Sequence, residues 1–143
     1  MACAWSRAMR SIPIRRRRPA WIARPRSISP VPGAQKLWAG TVSIHPNAKT
    51  GAHHHGALES VIYVVRGKAR MRWGERLEFT AEAGPGDFIY VAPYVPHQEI
   101  NASPDSELSC VVVRSGQEPV VVNLDIAPAE PPEEVRWIDS IHR

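Results

Sequence analysis

The residues best suited to chemistry stand together in His53-His54-His55-Gly56-Ala57-Leu58-Glu59. On an extended strand, side chains alternate between faces, so His53 and His55 share one face and His54 takes the other. Two imidazoles on one strand face make half a metal site. Glu59 follows after a short turn, and a fourth candidate ligand, His97, lies further on beyond a run of strands and turns. Imidazole and carboxylate donors together suit Zn, Fe, Ni, Cu or Mn, and His53, His55, His97 and Glu59 would leave coordination positions open for water or substrate. The competing reading is that three adjacent histidines decorate a polar loop. The elements around them have to decide between the two.

Those elements read as strands. Leu37 to Ile44 is a run ending at Pro46-Asn47; Gly51 to His55, Ser60 to Arg66 and Ala69 to Trp73 follow, the last two separated by a Gly67-Lys68 turn. Val, Ile, Tyr and Trp dominate these runs, as a pleated, half-buried surface requires. Gly74-Glu75 opens a hairpin turn into Leu77 and Phe79, and Gly84-Pro85-Gly86-Asp87 is a tight turn. Phe88–Val91, His97–Ile100, Leu108–Arg114 and Val120–Leu124 complete the set, with no convincing helix. Short strands with frequent turn signals predict an all-β sandwich or barrel. In such a barrel, inward side chains from distant strands converge.

Composition bounds the rest. At 143 residues the chain is long enough for one domain with a modest core. The formal charge of +4 is unevenly placed: residues 1–40 hold nine of the 18 basic residues and no acid, whereas residues 41–143 carry nine basic against 14 acidic residues, a net of −5. The folded part is therefore mildly acidic, and no nucleic-acid partner is expected for it. No apolar run approaches the roughly 18 residues of a helical membrane span, and no membrane partner is expected. Cys3 and Cys110 do not make a disulfide framework; Cys110, in a Val-rich run, reads as a core residue. Residues 1–34, with Arg15 to Arg18 between Pro13 and Pro19, are expected to form a disordered basic arm. That arm resembles an organelle transit peptide, or is a dispensable extension of a cytoplasmic protein. Residues 35–127 form the expected barrel, and residues 128–143 an acidic, Pro-rich tail with an apolar patch beginning at Val135.

Two motifs resemble those of the cupin superfamily, small jelly-roll or double-stranded β-helix barrels. The first is Asn47, five residues, His53-X-His55, three residues, Glu59, seven residues, Gly67. The second is Gly86, five residues, Ala92-Pro93-Tyr94, two residues, His97, three residues, Asn101. Asn47 stands where the family has Gly, and Asn also tolerates left-handed backbone. Ala92 and Tyr94 replace Pro and Gly of the second motif. Glu59 sits one residue early, and the usual Glu register falls on Ser60. Either a bulge re-aims Glu59 into the barrel, or Ser60 lines the pocket and Glu59 faces elsewhere, because one residue of slip reverses the face.

The resemblance implies a divalent transition metal (Fe, Mn, Ni or Zn) in the barrel, a small-molecule ligand and a homodimer. Ser60, Tyr63 and Tyr90 are candidate pocket-lining residues, Tyr63 and Tyr90 because a phenol can both stack and hydrogen-bond. Arg70 and Arg72 read as a solvated strand face. Asn101 reads as a turn-holding residue, and Glu99, with the parity of His97, as a candidate acid or base. The expected function is a metal-dependent enzyme on a small organic molecule, of oxygenase, isomerase or lyase type. The alternatives are a non-enzymatic barrel that binds or senses a ligand such as a sugar, and a barrel whose site is vestigial.

Overall fold

A computed structural model describes residues 26–27 and 34–136, and among them the secondary structure is β throughout. The strands are β1 (Arg26–Ser27), β2 (Trp38–Ile44), β3 (His53–His54), β4 (Ser60–Arg66), β5 (Ala69–Trp73), β6 (Phe79–Ala83), β7 (Phe88–Val91), β8 (His97–Asn101), β9 (Leu108–Arg114), β10 (Val122–Asn123) and β11 (Glu133–Glu134). They form a five-stranded sheet in the order β1-β2-β9-β4-β7 and a six-stranded sheet in the order β10-β3-β8-β5-β6-β11. This is the expected jelly-roll barrel. The proposed basic arm lies outside the described residues except for Ala34 and for Arg26 and Ser27, which pair with Thr41 and Gly40 of β2.

Alternation along each strand builds the core. In β4, Ser60, Ile62 and Val64 are buried while Val61, Tyr63 and Val65 are exposed. β9 buries Leu108, Cys110 and Val112, which face Ile44, Val42 and Gly40 of β2 across the ladder. Ala69 and Met71 of β5 close the core from the other sheet. Val64 and Leu108 are almost wholly removed from water, and truncating such a side chain to Ala costs about 2–5 kcal/mol.

Turn chemistry fixes the register. Asn47 takes φ 58°, the left-handed conformation its motif position demands, and Tyr94, standing where the family has Gly, takes φ 60°. Gly67, between β4 and β5, has φ 93°, and a Cβ there would lie 2.7 Å from the Glu107 carbonyl oxygen, so only Gly fits. Asn101 holds a turn, as expected: its Nδ2 donates to the carbonyls of Ile44 (2.9 Å) and Ser106 (2.7 Å), and its Oδ1 accepts from the Ser103 amide (2.9 Å).

The segment after Pro128 runs along the edge of the six-stranded sheet. β11 pairs in parallel with β6, and the Ala129 amide donates to the Arg76 carbonyl at 2.8 Å. Arg72 is pinned here rather than solvated. Its guanidinium donates to the carbonyls of Leu77 and Ala129 and meets the Glu130 carboxylate at 2.7 Å. Arg70 pairs with Glu82 on the exposed face. Trp137 and Ile138, the rest of the expected apolar patch, lie outside the described residues.

Candidate metal centre

Neighbouring strands of the six-stranded sheet position the site. His53 of β3 is the register partner of His97 of β8, which in turn faces Trp73 of β5, so three adjacent strands bring these side chains to the barrel interior. His55 follows β3 with the parity of His53. Both imidazoles are buried, and His54 turns to the other side near Tyr94, its Nδ1 accepting the Gly56 amide at 2.9 Å. Glu99, two residues beyond His97, has the same parity and joins them. One ligand atom from each of His53, His55, His97 and Glu99 lies within 4.8 Å of the others. The loop-decoration reading of the histidines therefore falls.

The imidazoles are held in one tautomer. Nδ1 of His53 donates to the Gly51 carbonyl (2.8 Å), Nδ1 of His55 to that of Val120 (2.8 Å) and Nδ1 of His97 to that of Val95 (2.9 Å). With the proton on Nδ1, each Nε2 presents a lone pair toward the cluster, the outer-shell arrangement that orients metal-binding histidines. His97, 1% exposed, has an Nε2 with no hydrogen-bond partner; Glu99 Oε1 at 3.5 Å is too far for a good one. An orphaned buried ring nitrogen is costly in an apoprotein and is what a cation would satisfy. Glu99 Oε2 also lies 3.6 Å from His53 Nε2 and accepts from the Thr50 hydroxyl at 2.8 Å.

Electrostatics suit the same reading. Burial lowers the pKa of His53, and burial brings His55 down to about 4, so both are neutral donors near neutral pH. Burial also opposes charge on His97, but the Glu99 carboxylate outweighs it and raises that pKa. Glu99 is the converse: burial favours its acid form, yet His97 and His53 hold it below the usual carboxylate range. It is an anion, ready to ligate a cation.

Glu59 lies elsewhere. β4 starts at Ser60, whose side chain is buried, so the preceding residue faces outward by parity. The Glu59 carboxylate accepts the Tyr90 hydroxyl at 2.8 Å on the outer surface, which raises the Tyr90 pKa. Of the two alternatives for Glu59, the geometry is the outward one, and the carboxylate that meets the imidazoles is Glu99. Its parity with His97 was the signal available in the sequence. Ser60 points inward with its hydroxyl unpartnered. Tyr63 and Tyr90 stand on the outer face of β4 and β7, though Tyr90 borders a cleft of about 840 Å³ that reaches His97 past Trp73, Ile89 and Val95. A smaller cavity of about 40 Å³ lies inside the barrel, with Glu99 and Arg114 among its apolar walls.

Residues 40–114 match the cupin domain model. The chain belongs to the cupin family. Among solved structures, this cupin resembles the polyketide cyclase RemF from Streptomyces resistomycificus, at 27% identity over 81% of this chain and 80% of that one, with a TM-score of 0.61. A double-stranded β-helix protein from Klebsiella pneumoniae matches at 16% identity over 78% of this chain and 90% of that one, TM-score 0.61. Oxalate oxidase in complex with the substrate analogue glycolate matches at 16% identity and TM-score 0.63, over 73% of this chain. The cupin spans only 55% of the oxalate oxidase chain, and these last two likenesses speak for the fold alone. No curated protein matches the chain.

Proposed function

We propose that this cupin is a metal-dependent enzyme acting on a small organic molecule, with His53, His55, His97 and Glu99 as the ligands of one divalent transition metal. The observation that carries the reading is the convergence of three tautomer-fixed Nε2 atoms and one carboxylate inside 4.8 Å. A metal held by this set supplies Lewis acidity at its open positions. The chain's own residues do the rest. The carbonyls of Gly51, Val120 and Val95 fix the imidazoles, and Thr50 orients Glu99. Trp73, Ile89 and Val95 line an approach suited to an apolar body. The likeness to a polyketide cyclase favours chemistry at a carbonyl or enol oxygen among the oxygenase, isomerase and lyase types.

A second reading is binding without turnover, in which the same pocket holds a small ligand such as a sugar. It is favoured by the lining of the inner cavity. Among the described residues, Glu99 is the only carboxylate there, and burial pushes the Cys110 thiol up to about 11. Ligation by Glu99 therefore leaves no second carboxylate in that cavity. Metal analysis of protein purified without chelators tests both readings. One equivalent of Fe, Mn, Ni or Zn, lost in His97→Ala, supports the site, whereas no uptake on reconstitution leaves a metal-free barrel. Turnover of a bound ligand by the loaded protein then separates enzyme from binding module.

A homodimer is the reading for the outer face of the five-stranded sheet. Val61, Tyr63, Phe88 and Tyr90 lie exposed and adjacent there on paired strands, a patch of the kind that marks an interaction surface. Light scattering of wild type and Phe88→Glu checks it, a monomeric wild type overturning it.

A further inference from the structure

Resting on the metal site proposed above, we infer that the interior takes an organic anion, a carboxylate or an enolate, and that Arg114 is the residue that binds it beside the metal. Arg114 ends β9 and pairs across the ladder with Ser60 of β4. Its Nη2 donates to His55 Nε2 at 3.1 Å, and its guanidinium sits over the Trp38 ring at 5.3 Å. Its Nε is buried and has no partner, and the hydroxyl of its register partner Ser60 is likewise buried and unpartnered.

Two physical consequences follow. First, His55 Nε2 has one lone pair, and Arg114 already uses it. The guanidinium stands where a cation would bind, so metal and Arg114 compete for the same atom. Ligation by His55 frees Nη2, leaving a guanidinium with at least two unpaired N–H groups inside the barrel. Second, the charges do not cancel. Three neutral imidazoles, the Glu99 anion, the Arg114 cation and a divalent metal carry two net positive charges in a largely buried place. Uncompensated charge there is expensive, and an anionic ligand removes the cost. Guanidinium is the donor whose planar fork matches a carboxylate.

Size points to how the ligand sits. The inner cavity between Glu99 and Arg114, about 40 Å³, holds roughly three waters, the scale of an acid group. The rest of the molecule belongs in the wider, mostly apolar cleft that reaches His97. The ligand class is therefore a hydroxy or oxo acid with an apolar or aromatic body.

Calorimetric titration of the zinc-loaded full chain tests this. Glycolate is compared with glycolamide, and 2-hydroxybenzoate with 2-hydroxybenzamide, pairs that differ in the charge of the acid group. Metal content is measured on every sample. At least one acid should bind tenfold or more tighter than its amide. Arg114→Gln should erase that preference while keeping, or raising, zinc affinity, because the competitor for His55 is gone. Arg114→Lys, which keeps the charge but not the fork, should restore part of the preference. Equal binding of acid and amide by a zinc-loaded wild type overturns the inference and leaves the metal site standing. Loss of zinc from a folded Arg114→Gln protein also overturns it. Failure of the wild type to take up zinc, or any of Fe, Mn and Ni, overturns the metal site and the inference together.

Discussion

Two carboxylates, Glu99 and Glu59, both lie within a few residues of a site histidine, and they end on opposite sides of the barrel wall. Glu99 sits on β8 with the parity of His97 and reaches three imidazoles in the interior. Glu59 precedes β4 by one residue and reaches a phenol in water. The inner carboxylate is held as an anion by buried imidazoles, while the outer one gains only a solvent-exposed hydrogen bond. The difference teaches that nearness in sequence to a histidine counts for less than strand parity, since a single residue decides which side of a sheet a side chain serves.

The comparison breaks first at its centre. His97→Ala removes a fully buried imidazole of the proposed site, and metal content after chelator-free purification should fall at least about tenfold; unchanged occupancy would refute the site. The two carboxylates can be set against each other directly. Glu99→Gln should weaken metal affinity by about 10- to 100-fold, and Glu59→Gln should leave it within error. The reverse result would place the ligand at Glu59 after all.

Acid should also separate the two sides. In metal-free protein the unfolded His55 takes its proton as pH falls through about 6.5, whereas the folded imidazole stays neutral down to about 4. Stability is thus lost between these values on acidification, by up to about 3 kcal/mol for this group. His53, lowered in the same direction, adds to the loss, and Glu99, held low, adds to it below the ordinary carboxylate pKa. His97, raised, partly offsets it, since its contribution is present at low pH and fades as pH rises through its folded pKa. Thermal unfolding from pH 7 to pH 4 should show the drop, and His55→Gln should flatten it. The smallest effect belongs to the outer pair: Tyr90→Phe, which loses one exposed hydrogen bond, should shift stability by no more than about 0.5 kcal/mol and leave metal content unchanged. Tyr90→Phe keeps the aromatic ring of the proposed dimer face, so a larger change would mean that the hydroxyl's hydrogen bond is buried rather than exposed.

Much of this was legible in the chain itself. Alternating β-branched and aromatic runs between Gly, Pro and Asn turns define the strands, and the parity of His53, His55 and His97 aims them at one interior. Asn47 and Asn101 disclose turns by chemistry that needs no neighbour. These are local properties, encoded in a few consecutive residues. The choice between Ser60 and Glu59 at the wall was undecidable there, because it depends on where β4 starts after the Gly56-Ala57 turn, and pairing with β7 and β9 sets that start. The pinning of Arg72 depends on a chain segment more than fifty residues away. The approach of Arg114 to His55 joins β9 of one sheet to the residue that follows β3 of the other, and the cleft at His97 exists only once the sheets face each other. Sequence determined the strands and the faces of their side chains, since backbone alternation is a short-range rule. Tertiary structure alone decided which carboxylate and which guanidinium those faces bring together, since long-range strand pairing sets that distance.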